Sequence, residues 1–210
     1  MSDEKGQKDH SQDDEINVLG TFWPVFLLNG FYSISWGGII FLIVPISRVI
    51  WPNEPAHALE IGIIITTLAW SASFSGLIWG RLIDLFSRVN IMFIIALIRG
   101  FAYLMLGFSV YGGGFSTWIY FLIFVGIMGL AAGGHQPSVI SLSNDVVPTG
   151  KRSRFFGAFE VVRNLTMVLG FLIGGLLFQL GYWRQFFWIV GLGKLILAIC
   201  LKLQLNEPKR

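Results

Sequence analysis

The sequence predicts an all-α membrane protein whose six transmembrane helices form a 3+3 inverted repeat. Three observations lead there. Of 210 residues, 54% are hydrophobic and only 13% charged, against about 25% charged in an ordinary soluble domain. From residue 21 onward six apolar runs follow one another, each of roughly 20 residues or more, the length that crosses about 30 Å of hydrocarbon. Glycines recur between the two halves of the chain at a nearly constant offset. A surface this apolar would not stay in water, which excludes a soluble enzyme. The same composition excludes a disordered chain.

In chain order, residues 1–20 are polar and acidic, with Asp3, Glu4, Asp9, Asp13, Asp14 and Glu15 against Lys5 and Lys8. No basic start leads into an apolar stretch, as a signal peptide requires. This segment reads as a disordered cytoplasmic tail. Residues 21–210 form the membrane bundle. Its apolar runs cover 21–48, 58–82, 90–110, 116–142, 154–179 and 185–204. The first and fourth are long, as expected of spans that tilt or extend past the bilayer.

Charge sets the orientation. With the N-terminus inside, the inner segments carry Lys5, Lys8, Arg81, Arg88, Lys151, Arg152, Arg154, Lys202, Lys209 and Arg210, and the outer loops carry Arg48 and Arg184. That asymmetry places both termini in the cytoplasm of a cell-membrane protein. It also accounts for the basic pI without nucleic acid. Cys200, the single cysteine, forms no internal disulfide. The sequon Asn164-Leu165-Thr166 lies inside an apolar run, out of reach of glycosylation. The His residues are isolated, and no phosphate-binding loop or nucleophile elbow occurs. No metal, cofactor or enzymatic activity is therefore expected.

The repeat is written in glycine. Gly30, Gly37 and Gly38 match Gly126, Gly133 and Gly134 at an offset of 96, which also takes Arg88 to Arg184. Gly76-x3-Gly80 matches Gly170-x3-Gly174 at an offset of 94. Copies of three spans each must be inverted in the membrane, the arrangement of many secondary transporters.

Four charged residues fall inside the runs: Arg99, Arg163, Lys194 and Glu160. Intramembrane charge is expensive and faces protein or a wet cavity. Arg99, about two turns from the cytoplasmic end of its run, is placed to snorkel. Lys194 stands nearer mid-run and needs a partner, a cavity or an interface with a second subunit.

The loop after the second run, Gly76-Leu-Ile-Trp-Gly80-Arg-Leu-Ile-Asp84-Leu-Phe-Ser-Arg88, resembles the signature loop of the major facilitator superfamily. Gly80, Asp84 and Arg88 carry the match, while Leu85 and Ser87 depart from it. Gly126-x2-Gly129-x3-Gly133-Gly134-x2-Pro137, then Asn144-Asp145-x2-Pro148-x2-Lys151-Arg152, resembles the family's fourth helix and following loop. Val125 stands where that helix usually carries an arginine. Gly157, Asn164, Gly170, Gly174 and Gly175 follow the fifth-helix pattern, and Asn206-Glu207-Pro208-Lys209-Arg210 resembles the exit of the sixth helix. The resemblance covers about residues 21–210, which corresponds to the N-terminal half of a twelve-helix fold.

The resemblance implies a secondary transporter moving a small solute by alternating access. This chain would supply one six-helix half, completed by a second half or by a homodimer in the lipid bilayer. The alternative is a non-transporting or regulatory half that docks on another membrane protein. The resemblance also implies a cytoplasmic gate of Gly80, Asp84, Arg88 and Asp145, and a cavity lined by the first, second, fourth and fifth helices. Within that cavity, Asn29, Tyr32, Ser33 and Trp36 share one helical stripe by their i, i+3, i+4, i+7 spacing. Glu160, Arg163 and Asn164 share a face of the fifth helix, and His135 and Gln136 lie at a similar depth on the fourth. Two readings of Glu160 stand: a proton carrier paired with His135, or a fixed partner of Arg163. The mixed aromatic, amide and charged groups suit sugars, organic anions, amino acids or drugs.

Overall fold

A computed structural model describes residues 18–51, 57–109, 113–147 and 149–204. The acidic segment through residue 17 and the Asn206–Arg210 ending lie outside the described residues; residues 18–20 open the first helix. Every element among the described residues is helical, because in hydrocarbon a helix satisfies its own backbone. The elements are α1 Val18–Ile50, α2 Ala58–Leu85, α3 Arg88–Phe108, α4 Phe115–Ala132, α5 His135–Val146, a 3-10 turn at Thr149–Lys151, α6 Arg152–Gln179 and α7 Trp183–Gln204. Six spans result, with α4 and α5 sharing the fourth.

Local chemistry explains the ends. Ser87 caps α3 by accepting from the Asn90 N–H at 3.3 Å, a Ser N-cap in the position the family usually gives to glycine. The second span runs on to Leu85 before this cap, three residues past its apolar run. The fourth span breaks because Pro137 has no N–H for the Gly133 carbonyl and its ring crowds that carbonyl. At the end of α6, Gly181 takes a φ of 79°, and the Tyr182 N–H closes onto the Leu177 carbonyl at 2.7 Å, a Schellman-type stop.

Packing confirms the inverted repeat. The closest helix pairs are α1 with α6, α2 with α4, and α3 with α7. Exchanging the first three spans with the last three maps the first pair onto the second and the third onto itself. The glycines do the same work in each copy. A Cβ on Gly37 would land on the Met167 carbonyl of α6, and one on Gly133 would land on the Ala72 carbonyl of α2. Small residues let the backbones touch, as membrane helix pairs require.

The interior is layered along the membrane normal. One apolar cluster, including Ile39, Leu42, Phe121, Val125 and Phe187, fills the half towards the α1–α2 loop. A second, including Leu28, Met92, Val139 and Phe159, fills the half towards the α2–α3 loop. Between them lies a thin polar layer. Around this core, α2 and α6 are the least buried spans, while α1 and α3 are the most buried.

Candidate functional site

The polar layer is built around the ring of Tyr32 on α1. Arg99 of α3 sets its guanidinium carbon 3.8 Å from the ring centroid. The imidazole of His135, the first residue of α5, stacks on the ring at 3.9 Å and 7° from parallel. Two groups this close to one centroid occupy opposite faces, so Tyr32 is sandwiched between them. Lys194 of α7 places its ammonium 5.6 Å from the Tyr32 centroid and 5.5 Å from that of Tyr103. Asn29, one turn before Tyr32, accepts from His135 Nε2 through Oδ1 at 3.3 Å. The Tyr103 hydroxyl donates to the Ser35 carbonyl at 2.9 Å.

Each element reaches this layer at the same depth. Arg99 lies 11 residues from the start of α3, His135 the same number from the end of α5, and Lys194 10 from the end of α7. At 1.5 Å per residue these are about 15–17 Å from the ends on the side of the α2–α3 loop, near the middle of a hydrocarbon slab of about 30 Å.

The electrostatics are one-sided. Arg99 is 1% exposed and Lys194 2%. Nε and both terminal nitrogens of Arg99 make no hydrogen bond of good geometry, with the Tyr103 hydroxyl an acceptor close by, and Asn29 Nδ2 is likewise buried without a partner. Lys194 makes one long hydrogen bond, 3.5 Å, to the Phe31 carbonyl. Aromatic faces supply part of the compensation, worth about 2 kcal/mol or more when a cation–π pair is desolvated. A cavity of about 10 Å³ lies among Tyr32, Arg99, His135, Lys194 and apolar neighbours.

Arg99 corrects an expectation. It does not snorkel, because the helix length beneath it exceeds the reach of its side chain and α7 covers it. Lys194 finds the cavity it was expected to need. Neither was anticipated as part of one cluster with Tyr32. The available signal was their spacing: Arg99 and Lys194 stand 95 positions apart, between the offsets of 94 and 96 that relate the glycines. They stand on the third span of each repeat, on α3 and α7, which pack against one another.

The remaining residues fall into three places. Ser33 turns its hydroxyl back to the Asn29 carbonyl at 2.9 Å, and Trp36 stacks along α1 with Tyr32 at 6.2 Å. On α6, Glu160 and Arg163 pair at 2.7 Å, with side chains 46% and 37% exposed; Asn164 is exposed and Gln136 half-buried. At the end of the bundle that carries the α2–α3 loop, Arg88 of α3 pairs with Asp145 of α5. Arg152 ties the start of α6 to the Val147 and Asn144 carbonyls at 3.0 and 2.5 Å. Lys202 of α7 bonds Asn90 of α3. Asp84 is exposed on the last turn of α2, and Gly80 is half-buried with open space beside it.

Six spans, an internal inverted repeat and a polar layer at mid-membrane define a multi-pass α-helical membrane protein. The chain belongs to the Major Facilitator Superfamily, whose family model matches residues 21–210. It is similar to the class H tetracycline resistance protein of Pasteurella multocida, 29% identical over 142 residues, which is 67% of this chain and 33% of that protein. It is also similar to the MFS-type transporter ungB of Aspergillus violaceofuscus, 33% identical over 84 residues, 39% of this chain and 15% of that protein. The chain thus spans about a third of the length of the first relative in the matched region.

Proposed function

We propose that this chain is one six-helix half of a secondary active transporter that moves a small solute across the cell membrane by alternating access, with both termini cytoplasmic. The observation that carries this reading is the polar layer at mid-membrane, set between two apolar clusters at the seam of the inverted repeats. Solute and coupling-ion sites of such folds lie at that level. A second bundle, identical or different, packs against α2 and α6, the two repeat-equivalent spans left least covered. The solute lies between the bundles. It meets the accessible groups Tyr32, Trp36, Gln136, Glu160, Arg163 and Asn164, while Asn29, Ser33 and His135 hold them from behind. The Arg88–Asp145 pair, with Asp84 nearby on α2, acts as the cytoplasmic lock of the outward-open state.

The name of the tetracycline resistance protein makes a tetracycline the first solute to test, followed by sugars, amino acids and organic anions. The experiment is flux into proteoliposomes under imposed ion gradients. Native mass spectrometry establishes beforehand that the particle contains two bundles. Saturable flux that Arg163→Ala lowers at least tenfold supports the reading. Two-bundle particles that move none of the panel would sink it.

A further inference from the structure

The layer around Tyr32 carries positive charge that no described acid balances. Arginine stays charged at any pH a protein meets, and an unpaired buried charge costs several kcal/mol after relaxation. The described acids are all elsewhere. Glu60 pairs with His57 at the start of α2, Asp145 with Arg88 and Glu160 with Arg163, and Asp84 is exposed. What faces the cavity is a set of donors. It holds the guanidinium of Arg99, whose nitrogens make no hydrogen bond of good geometry, and the ammonium of Lys194 with one long bond, while the His135 ring lies in the wall with its Nε2–H given to Asn29. The unbonded Asn29 amide stands beside them on His135.

We infer that Arg99 and Lys194 hold a single halide-sized inorganic anion in this cavity, between α1, α3, α5 and α7. Three features fit that ligand. The cavity, about 10 Å³, is near the smallest that admits one water-sized body, which excludes phosphate, sulfate or the bulk of an organic solute. Its two cations come one from each repeat, Arg99 on α3 and Lys194 on α7, so an anion in the cavity meets one cation from each. Its walls otherwise are Leu28, Met92, Ile95 and Ala96, a dry surround in which each charge–charge contact is strengthened. The anion ties α3 and α7 to α1 and the broken fourth span. This assignment rests on the fold and the buried charges and not on the transport reading.

The test uses the full chain in detergent at constant ionic strength, with sodium gluconate replaced stepwise by sodium bromide and, separately, by sodium sulfate. Bromide is expected to raise the melting temperature saturably by on the order of 5 °C, as binding to the folded state alone requires, and sulfate to leave it unchanged. Arg99→Gln and Lys194→Met are each expected to abolish the bromide effect. A flat melt of the unmodified protein overturns the inference, as does a bromide effect that survives both substitutions. Crystals of the unmodified protein grown in bromide decide the matter if neither variant folds. An anomalous peak in the cavity upholds the site, and its absence there overturns it.

Discussion

The imidazole of His135 lies flat against the ring of Tyr32 at 3.9 Å, so the broken fourth span is seated on α1 by one aromatic contact. The opposite face of the same ring carries Arg99 at 3.8 Å. One residue therefore joins α1, α3 and α5 where the two apolar clusters part. Tyr32→Ala removes the stacking surface and exposes a buried cation to hydrocarbon. It is expected to cost about 3–5 kcal/mol, the range for losing a large packed ring. Tyr32→Phe keeps both faces and is expected to cost under about 1 kcal/mol. Thermal melts of the purified variants check this. Equal losses for Phe and Ala would mean that the hydroxyl, not the ring, holds the layer.

The glycine contacts make a second expectation. Gly37 and Gly133 each sit where a Cβ meets the carbonyl of a neighbouring helix, whereas nothing lies within 4 Å of Gly62 or Gly157. Backbone cannot yield as a side-chain tip does. Gly37→Ala and Gly133→Ala are expected to destabilise by about 1–3 kcal/mol, as overpacking does. Gly62→Ala and Gly157→Ala should be neutral or gain up to about 1 kcal/mol in helix propensity. Detergent melts that rank all four alike would contradict the repeat-equivalent helix crossings.

Much of this fold is visible in the residues. Apolar run length marks the six spans within a few residues, and the offset of 96 between Gly37 and Gly133 turns out to mark equivalent backbone contacts. Pro137 and Gly133-Gly134 mark the break in the fourth span. What run length and charge do not convey is azimuth. Counting from residue 90, where the apolar run begins, underestimates the depth of Arg99 and makes it look able to snorkel. Its true depth follows from a helix start at Arg88, and its direction follows from where α7 packs. For the same reason His135 and Glu160 read as near in depth, but they lie 11 residues from the end of α5 and 8 from the start of α6, and the contacts of His135 are with Tyr32 and Asn29 while Glu160 pairs with Arg163 on α6. Helical spacing gives the face that residues share, and only packing gives the neighbour that face meets.

The Arg88–Asp145 pair joins the start of α3 to the end of α5. Its side chains are 16% and 40% exposed, so salt screens it and its contribution stays modest, about 0.5–1 kcal/mol. Either neutralisation alone, Arg88→Gln or Asp145→Asn, should lower stability by this amount. The double variant should recover part of the loss, with a coupling energy that falls at high salt. If the pair also acts as the lock of the outward-open state, both single variants shift a cysteine probe in the cavity towards labelling from the cytoplasmic side. A double-mutant cycle with no coupling, and no change in labelling, would leave the pair without either role.

Glu160 and Arg163 offer the clearest test of coupling. Their oxygen–nitrogen separation is 2.7 Å across one turn of α6, with both side chains more than a third exposed. An i,i+3 pair of this kind adds only about 0.2–0.5 kcal/mol to the helix, so stability gives it little reason to exist, and its place on the uncovered face of α6 points to solute. Because Arg163 neutralises the carboxylate where it stands, the expectation is a fixed pair and not a proton carrier. Glu160→Gln should then weaken solute affinity, by about tenfold for the loss of about 1.4 kcal/mol, while the dependence of flux on an imposed pH gradient stays as it was. Arg163→Gln should do the same to affinity, and the double variant should lose little more than either single one, since the two act as a unit. The opposite pattern would assign the proton to Glu160. In that case Glu160→Gln abolishes accumulation driven by a pH gradient yet preserves solute exchange at equal pH, because exchange needs the binding site but no net proton movement.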